Sequence, residues 1–113
     1  MIVSPYLTKA RLIKMMETLE RVISSGVKLA VATRPADDYA DKDRLRIASL
    51  IDLLRKRGAN VIERSKIHQK FAVIDSRMSW YGSINLLSFG SSEESIMRLE
   101  SKGISEELLR TIQ

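Results

Sequence analysis

His68 is the only histidine in the chain, and Lys70 stands two residues after it. Asp75 follows, then Gly82, Ser83 and Asn85, so the segment reads H-x-K-x-x-x-x-D-x-x-x-x-x-x-G-S-x-N. An imidazole can attack an electrophile or move a proton, and an ammonium supplies a compact positive charge. Hydroxyl and carboxamide groups add hydrogen bonds. That set suits a phosphate diester, with its charged oxygens, better than a carbonyl substrate. The single histidine is also a shortage. A reaction that needs two imidazoles must take the second from another copy of the site.

The elements that would position these groups are legible in the periodicity. Residues 1–5 read as a short buried strand ended by Pro5. Thr8 can cap a helix running to about Ser24, with Leu12, Met15, Met16, Leu19, Val22 and Ile23 on its buried face and Gly26 at a left-handed stop. Residues 27–33 suit a strand, and residues 34–38 a loop. A second helix is expected over residues 41–57, with Leu45, Ile47, Ala48, Leu50, Ile51 and Leu54 inward and Gly58 as its stop. Residues 59–64 form a third strand. This strand–helix alternation implies right-handed crossovers and parallel pairing. Residues 67–74 and 78–85 then read as an antiparallel hairpin turning at residues 75–77. A last strand over residues 95–99 and a helix over residues 105–112, starting at Ser105, complete the chain.

Side chains alternate along a strand. His68 and Lys70 therefore share one face, and Gln69, Phe71, Val73 and Asp75 the other. Tyr81, Ser83 and Asn85 share a face on the partner strand. Pairing that brings His68 and Lys70 beside Ser83 and Asn85 converges them on one spot, and Gly82 lets a backbone come close there. Asp75 has the wrong parity for that pocket, which assigns it to the turn itself.

The full gapped pattern resembles the H-K-D motif of the phospholipase D superfamily at every signature position. The preceding order of strands and helices also looks like that family's half-domain, so the resemblance covers nearly the whole chain. It implies an α/β fold, a mixed β-sheet flanked by helices with one motif per chain, in a single domain over residues 1–113. Within Ser92-Glu93-Glu94-Ser95, Glu94 best fits the glutamate that family members place before the last core strand, with Glu93 a close alternative. Relatives usually carry an extra strand and helix before the Ser4-Pro5 turn, which points to a truncated or excised module.

The resemblance also implies a mechanism. One histidine attacks phosphorus and forms a phosphohistidine; a second protonates the leaving oxygen and then activates water. Lys70 and its copy neutralise the equatorial oxygens, so no metal or cofactor is called for. Ser83 and Asn85 add aimed donors, and Glu94 can fix the tautomer of a histidine. His68 cannot attack and protonate at the same moment. A homodimer sharing one active site on a two-fold axis resolves that conflict, and a longer protein with a second motif is the alternative.

Composition narrows the setting. The chain has 113 residues, 44% hydrophobic and 29% charged, which suits one modest core. Cysteine is absent, which excludes disulfides and thiolate metal sites. No apolar run approaches the ~18 residues of a membrane span, and no signal peptide follows Met1. The expected place is the cytoplasm, with no membrane partner. The net charge of +5 draws a domain toward polyanions. Nucleic acid is the expected partner, DNA ahead of RNA, with Arg64 and Lys66 as candidate backbone contacts and Arg55, Lys56 and Arg57 nearby. Asp37, Asp38, Asp41 and Asp43 lack the glycine and terminal glutamate of a calcium loop and read as helix caps. The resulting expectation is a metal-independent nuclease. The alternatives are a lipid phosphodiesterase or phosphatidyl transferase, and a non-catalytic nucleic-acid-binding module appended to a helicase or restriction enzyme.

Overall fold

The structure, a computed structural model, describes residues 1–88 and 94–112. Helix α1 (Lys9–Ser24) and helix α2 (Arg44–Lys56) form where apolar residues recur every three or four positions. Leu12 and Leu19 of α1 are buried, as are Ile47, Leu50, Ile51 and Leu54 of α2. Fully burying one such side chain contributes roughly 1.5–3 kcal/mol, so these stripes fix both helices to the sheet. Gly26 and Gly58 end them with φ of 94° and 101°, a conformation that any side chain would strain.

The strands are β1 (Ile2–Val3), β2 (Ala30–Thr33), β3 (Asn60–Glu63), β4 (Phe71–Ile74), β5 (Met78–Gly82) and β6 (Ile96–Glu100). They form one six-stranded sheet in the order β3-β2-β1-β4-β5-β6. β1, β2 and β3 run parallel, while β4, β5 and β6 are successively antiparallel. The fold is therefore the mixed α/β sheet expected. Alternation along the strands divides the core. Val31 and Val61 join Leu12, Ile47 and Leu54 under α1 and α2. Val3, Ala32, Phe71 and Val73 face the other way, with Leu108, Leu109 and Ile112 packed against them at the end of the chain. That second face is covered by helix α3 (Lys102–Arg110), where the buried hydroxyls of Ser105 and Ser79 lie 2.7 Å apart.

Several local expectations change. Residues 41–43 form a 3-10 turn before α2 begins. Leu45 is 86% exposed and Ala48 is exposed too. At 100° per residue, Leu45 lies about 170° from the centre of the Ile47–Leu50–Ile51–Leu54 stripe and Ala48 lies at its flank. Thr8 occupies the N-cap of α1, yet its hydroxyl is buried without a partner among the described residues. α3 starts earlier than expected. Ser101 is its cap and accepts from the Ile104 N–H at 3.2 Å, leaving Ser105 inside the helix. The hairpin strands stop short of the motif: His68 and Lys70 precede β4, and Ser83 and Asn85 follow β5.

Candidate active site

Pairing direction alone gathers the motif. Val3 at the end of β1 sits beside Phe71 at the start of β4, and Phe71 sits beside Tyr81 near the end of β5. Gly82 closes β5 beside Ile96, which opens β6. The ends of β1, β2, β3 and β5 and the starts of β4 and β6 thus lie at one edge of the sheet. His68, Lys70, Ser83, Asn85, Glu94, Arg64 and Lys66 all belong to segments at that edge. Asp75 lies at the other.

There His68, Gln69, Lys70, Tyr81, Gly82 and Ser83 line an open pocket of about 320 Å³. The Lys70 Nζ is 3.4 Å from the His68 Nε2 and donates to the His68 carbonyl oxygen at 2.8 Å. An ammonium has donors only, so the first contact needs a lone pair on Nε2 and a proton on Nδ1. A ring nitrogen and a positive charge thus lie side by side in the same small volume. His68 itself is exposed. The expected facing of His68 and Lys70 with Ser83 and Asn85 is not what the register gives: Phe71 pairs with Tyr81, so alternation puts Gln69 on the face of Tyr81 and Ser83, and Gln69 lines the pocket with them. Its Oε1 accepts from the Thr111 hydroxyl at 3.1 Å, which ties this lead-in to the end of α3.

The glycine and serine do more local work than the sequence suggested. A Cβ on Gly82 would collide with the carbonyl oxygen of Ser95 and lie 2.7 Å from the Ile96 Cα. The close approach that demands glycine is therefore made by β6. The Ser83 N–H donates to the Ser95 carbonyl at 2.9 Å, and the Ser83 Oγ accepts from the Ser95 N–H at 3.0 Å. Ser83 thus pins the start of β6 while its side chain borders the pocket. Asn85 caps a turn through its carbonyl, which accepts from the Ser88 N–H at 3.0 Å. Its Oδ1 is buried with no hydrogen-bond partner among the described residues, an arrangement that native proteins seldom leave unfilled.

Glu94 is exposed and adjoins Ser95 at the same edge. The only hydrogen bonds of the His68 side chain and carbonyl among the described residues go to Lys70. Glu93 and Ser92 lie outside the described residues. Asp75 and Ser76 have φ of 55° each, and the Arg77 N–H closes the turn on the Ile74 carbonyl at 3.1 Å. Asp75 is thus a hairpin-turn residue, one of the few types that tolerate positive φ.

Of the basic residues expected to track a phosphate backbone, three are paired at the surface. Arg55 meets Glu63 at 2.9 Å, Lys56 meets Asp52 at 2.8 Å and Arg57 meets Glu20 at 2.7 Å. Arg64 and Lys66 are the pair in the segment that leads into His68. No group of three or more histidine, aspartate and glutamate side chains that could hold a metal occurs among the described residues. No helix among them is long and apolar enough to cross a membrane. Sequence reasoning did not single out Tyr81, although its parity with Ser83 was visible. It lines the pocket, and its ring stacks near Phe71 with centroids 6.4 Å apart.

A family model described as cardiolipin synthase, PLD-like domain, matches residues 1–113. None of the curated proteins matches the chain.

Proposed function

The chain belongs to the phospholipase D superfamily, whose chemistry is phosphodiester hydrolysis and phosphoryl-group transfer, and from that premise we propose that it is a nuclease working without a metal. The observation that carries the reading is the 3.4 Å contact between Lys70 Nζ and His68 Nε2 in an open pocket beside Ser83. In the first step the His68 Nε2 forms a bond to phosphorus, and the bond from phosphorus to the leaving oxygen breaks. The leaving oxygen takes a proton from a second imidazole. In the second step that imidazole removes a proton from water, the water oxygen bonds to phosphorus, and the P–N bond breaks. Lys70 offsets charge on the non-bridging oxygens throughout.

The second imidazole is His68 of another copy, in a homodimer with one shared site. Support comes from the chain's single histidine, its exposure and the openness of the pocket. The exposed Glu94 is a group that such a copy or a substrate can meet. Nucleic acid, with DNA ahead of RNA, is favoured by Arg64 and Lys66 at the same edge and by the net charge of +5.

The test is cleavage of end-labelled DNA and RNA oligonucleotides in EDTA, by protein whose dimeric state has been measured. Cleavage lost on His68→Ala, with transient label mapped to His68, supports the proposal. A dimer that leaves every oligonucleotide intact refutes the nuclease reading. If the native chain cleaves nothing, and its salt-sensitive binding survives His68→Ala, the chain is a binding module. One observation favours a second reading, phosphatidyl transfer: the matching family's description names cardiolipin synthase. Incubation with phosphatidylglycerol vesicles separates the two, because only the transferase converts the lipid.

A further inference from the structure

The connection from β3 to His68 has no regular secondary structure, yet two side chains from a different connection hold it. Arg34 directly follows β2. Its Nε donates to the Ile67 carbonyl at 2.6 Å, one residue before His68. The Arg34 guanidinium lies 5.0 Å above the Tyr6 ring, which meets Tyr39 edge-on at 5.8 Å. The Tyr39 hydroxyl accepts from the Leu7 N–H at 3.2 Å and donates to the Pro5 carbonyl at 3.3 Å. The Arg34 N–H also reaches the Pro5 carbonyl, at 3.3 Å. The guanidinium is thus oriented by the segment leaving β1.

Asp38 supplies the second hold. It ends the 3-10 turn Ala36–Asp38. Its Oδ1 accepts from the Ser65 hydroxyl and its Oδ2 from the Lys66 N–H, both at 2.7 Å. Lys66 has φ of 63°, a left-handed conformation that comes at a cost to a non-glycine residue. The carboxylate bond lies on the strained residue itself, where it can offset that cost. Together the contacts fix residues 65–67, and Lys70 holds the His68 carbonyl from the other side.

We propose that Arg34 and Asp38 are positioning residues, which set the direction of the His68 imidazole by clamping the three residues before it. The proposal rests on the reading of His68 as nucleophile for its kinetic consequence, but not for its structural one. Because His68 is the only histidine, its imidazole C–H signals can be identified in an NMR spectrum without assignment.

The experiment compares the native chain with Arg34→Gln, Asp38→Ala and the milder Ser65→Ala and Asp38→Asn. In Arg34→Gln and Asp38→Ala the His68 signals are expected to move and broaden, while methyl signals of Val31, Ile47 and Leu54 stay in place. On a cleavable oligonucleotide kcat falls about 100-fold, the effect of misplacing a reacting group by roughly 1 Å, while KM stays within about threefold. Asp38→Asn keeps an acceptor for the Lys66 N–H and recovers most of kcat. If Asp38→Ala does not fold, Ser65→Ala must still shift the His68 signals by removing one of the two bonds. Imidazole signals that coincide with the native chain's across the folded variants overturn the clamp. So does an unchanged kcat. A native chain that cleaves no diester refutes the nuclease and leaves the NMR comparison to decide the clamp.

Discussion

Gly82→Ala should damage both the sheet and the site. The new methyl group would meet backbone only: the Ser95 carbonyl oxygen, the Ile96 Cα at 2.7 Å and the Ser95 carbonyl carbon at 2.9 Å. Ordinary carbon contacts begin near ~3.5 Å, so β6 must retreat from β5 by roughly 1 Å. Overpacking of this kind costs about 1–3 kcal/mol. The retreat also stretches the 2.9 Å bond from Ser83 N–H to the Ser95 carbonyl and the 3.0 Å bond from Ser95 N–H to the Ser83 Oγ. Each is worth about 1 kcal/mol net, and partial loss of both brings the total to roughly 2–4 kcal/mol. At about 4 °C per kcal/mol, Tm falls by roughly 8–16 °C. Urea unfolding gives the free energy, and hydrogen exchange at Ser83 and Ser95 shows where it was lost. Cleavage should fall as well, because Ser83 borders the pocket. A variant within ~0.5 kcal/mol of the native chain, the range of ordinary surface changes, would show that Gly82 is not there for the approach of β6.

Three further outcomes are expected. Hydrogen bonds from the Lys66 N–H and then the Ser65 hydroxyl hold the Asp38 carboxyl below the usual carboxylate range, with the charges of Arg34 and Lys66 adding to them. A depressed folded pKa means that the clamp is fully present above the ordinary aspartate value of about 3.9 and is lost only as pH falls through the lower folded value. Protection of the Lys66 amide should therefore be flat through neutral and mildly acid pH and fall only at pH below the ordinary aspartate value, a fall absent in Asp38→Asn. Ser79→Ala leaves the Ser105 hydroxyl buried without its 2.7 Å partner and should cost about 1–3 kcal/mol, whereas the Ser79→Ala/Ser105→Ala pair should cost less than the summed singles in a urea double-mutant cycle. Leu45→Glu should change stability by less than ~0.5 kcal/mol in the same assay, because Leu45 is 86% exposed.

Much of this was legible in the sequence because it depends on local rules. The glycines at 26 and 58 marked helix ends and do adopt positive φ. The hairpin turn followed from Asp75-Ser76-Arg77, and parallel pairing from the strand–helix alternation. The expectations that changed are those that only tertiary contacts decide. Leu45 is as hydrophobic as Leu50, yet only the second lies over the sheet. Ser105 and Ser101 are both acceptable caps, and the choice fell to Ser101 because Ser105 is needed against Ser79. Gly82 announces a close approach without saying to what. Arg34 carried no motif, and Asp38 read as a helix cap but instead bonds Ser65 and Lys66; their role depends on two connections, after β2 and after β3, meeting at one sheet edge.

The meeting place has a topological cause. β1 is flanked by parallel β2 on one side and antiparallel β4 on the other. The chain leaving β1 and the chain entering β4 therefore meet at the same edge with no crossover between them, and a crevice opens where pairing direction switches. Short strands suffice, because the switch fixes the meeting point. Among the described residues the crevice has no roof. Two unit charges 4 Å apart attract by about 1 kcal/mol in water, but by about 4 kcal/mol at the effective dielectric of a partly buried site. Lys70 in an open pocket is nearer the first regime. A second copy seated over the pocket would displace that water, so it would strengthen the hold of Lys70 on a phosphate even before it offered an imidazole. Dimerisation and phosphate affinity should consequently rise together, and a His68→Ala copy that supplies only the roof should still tighten phosphate binding by its native partner.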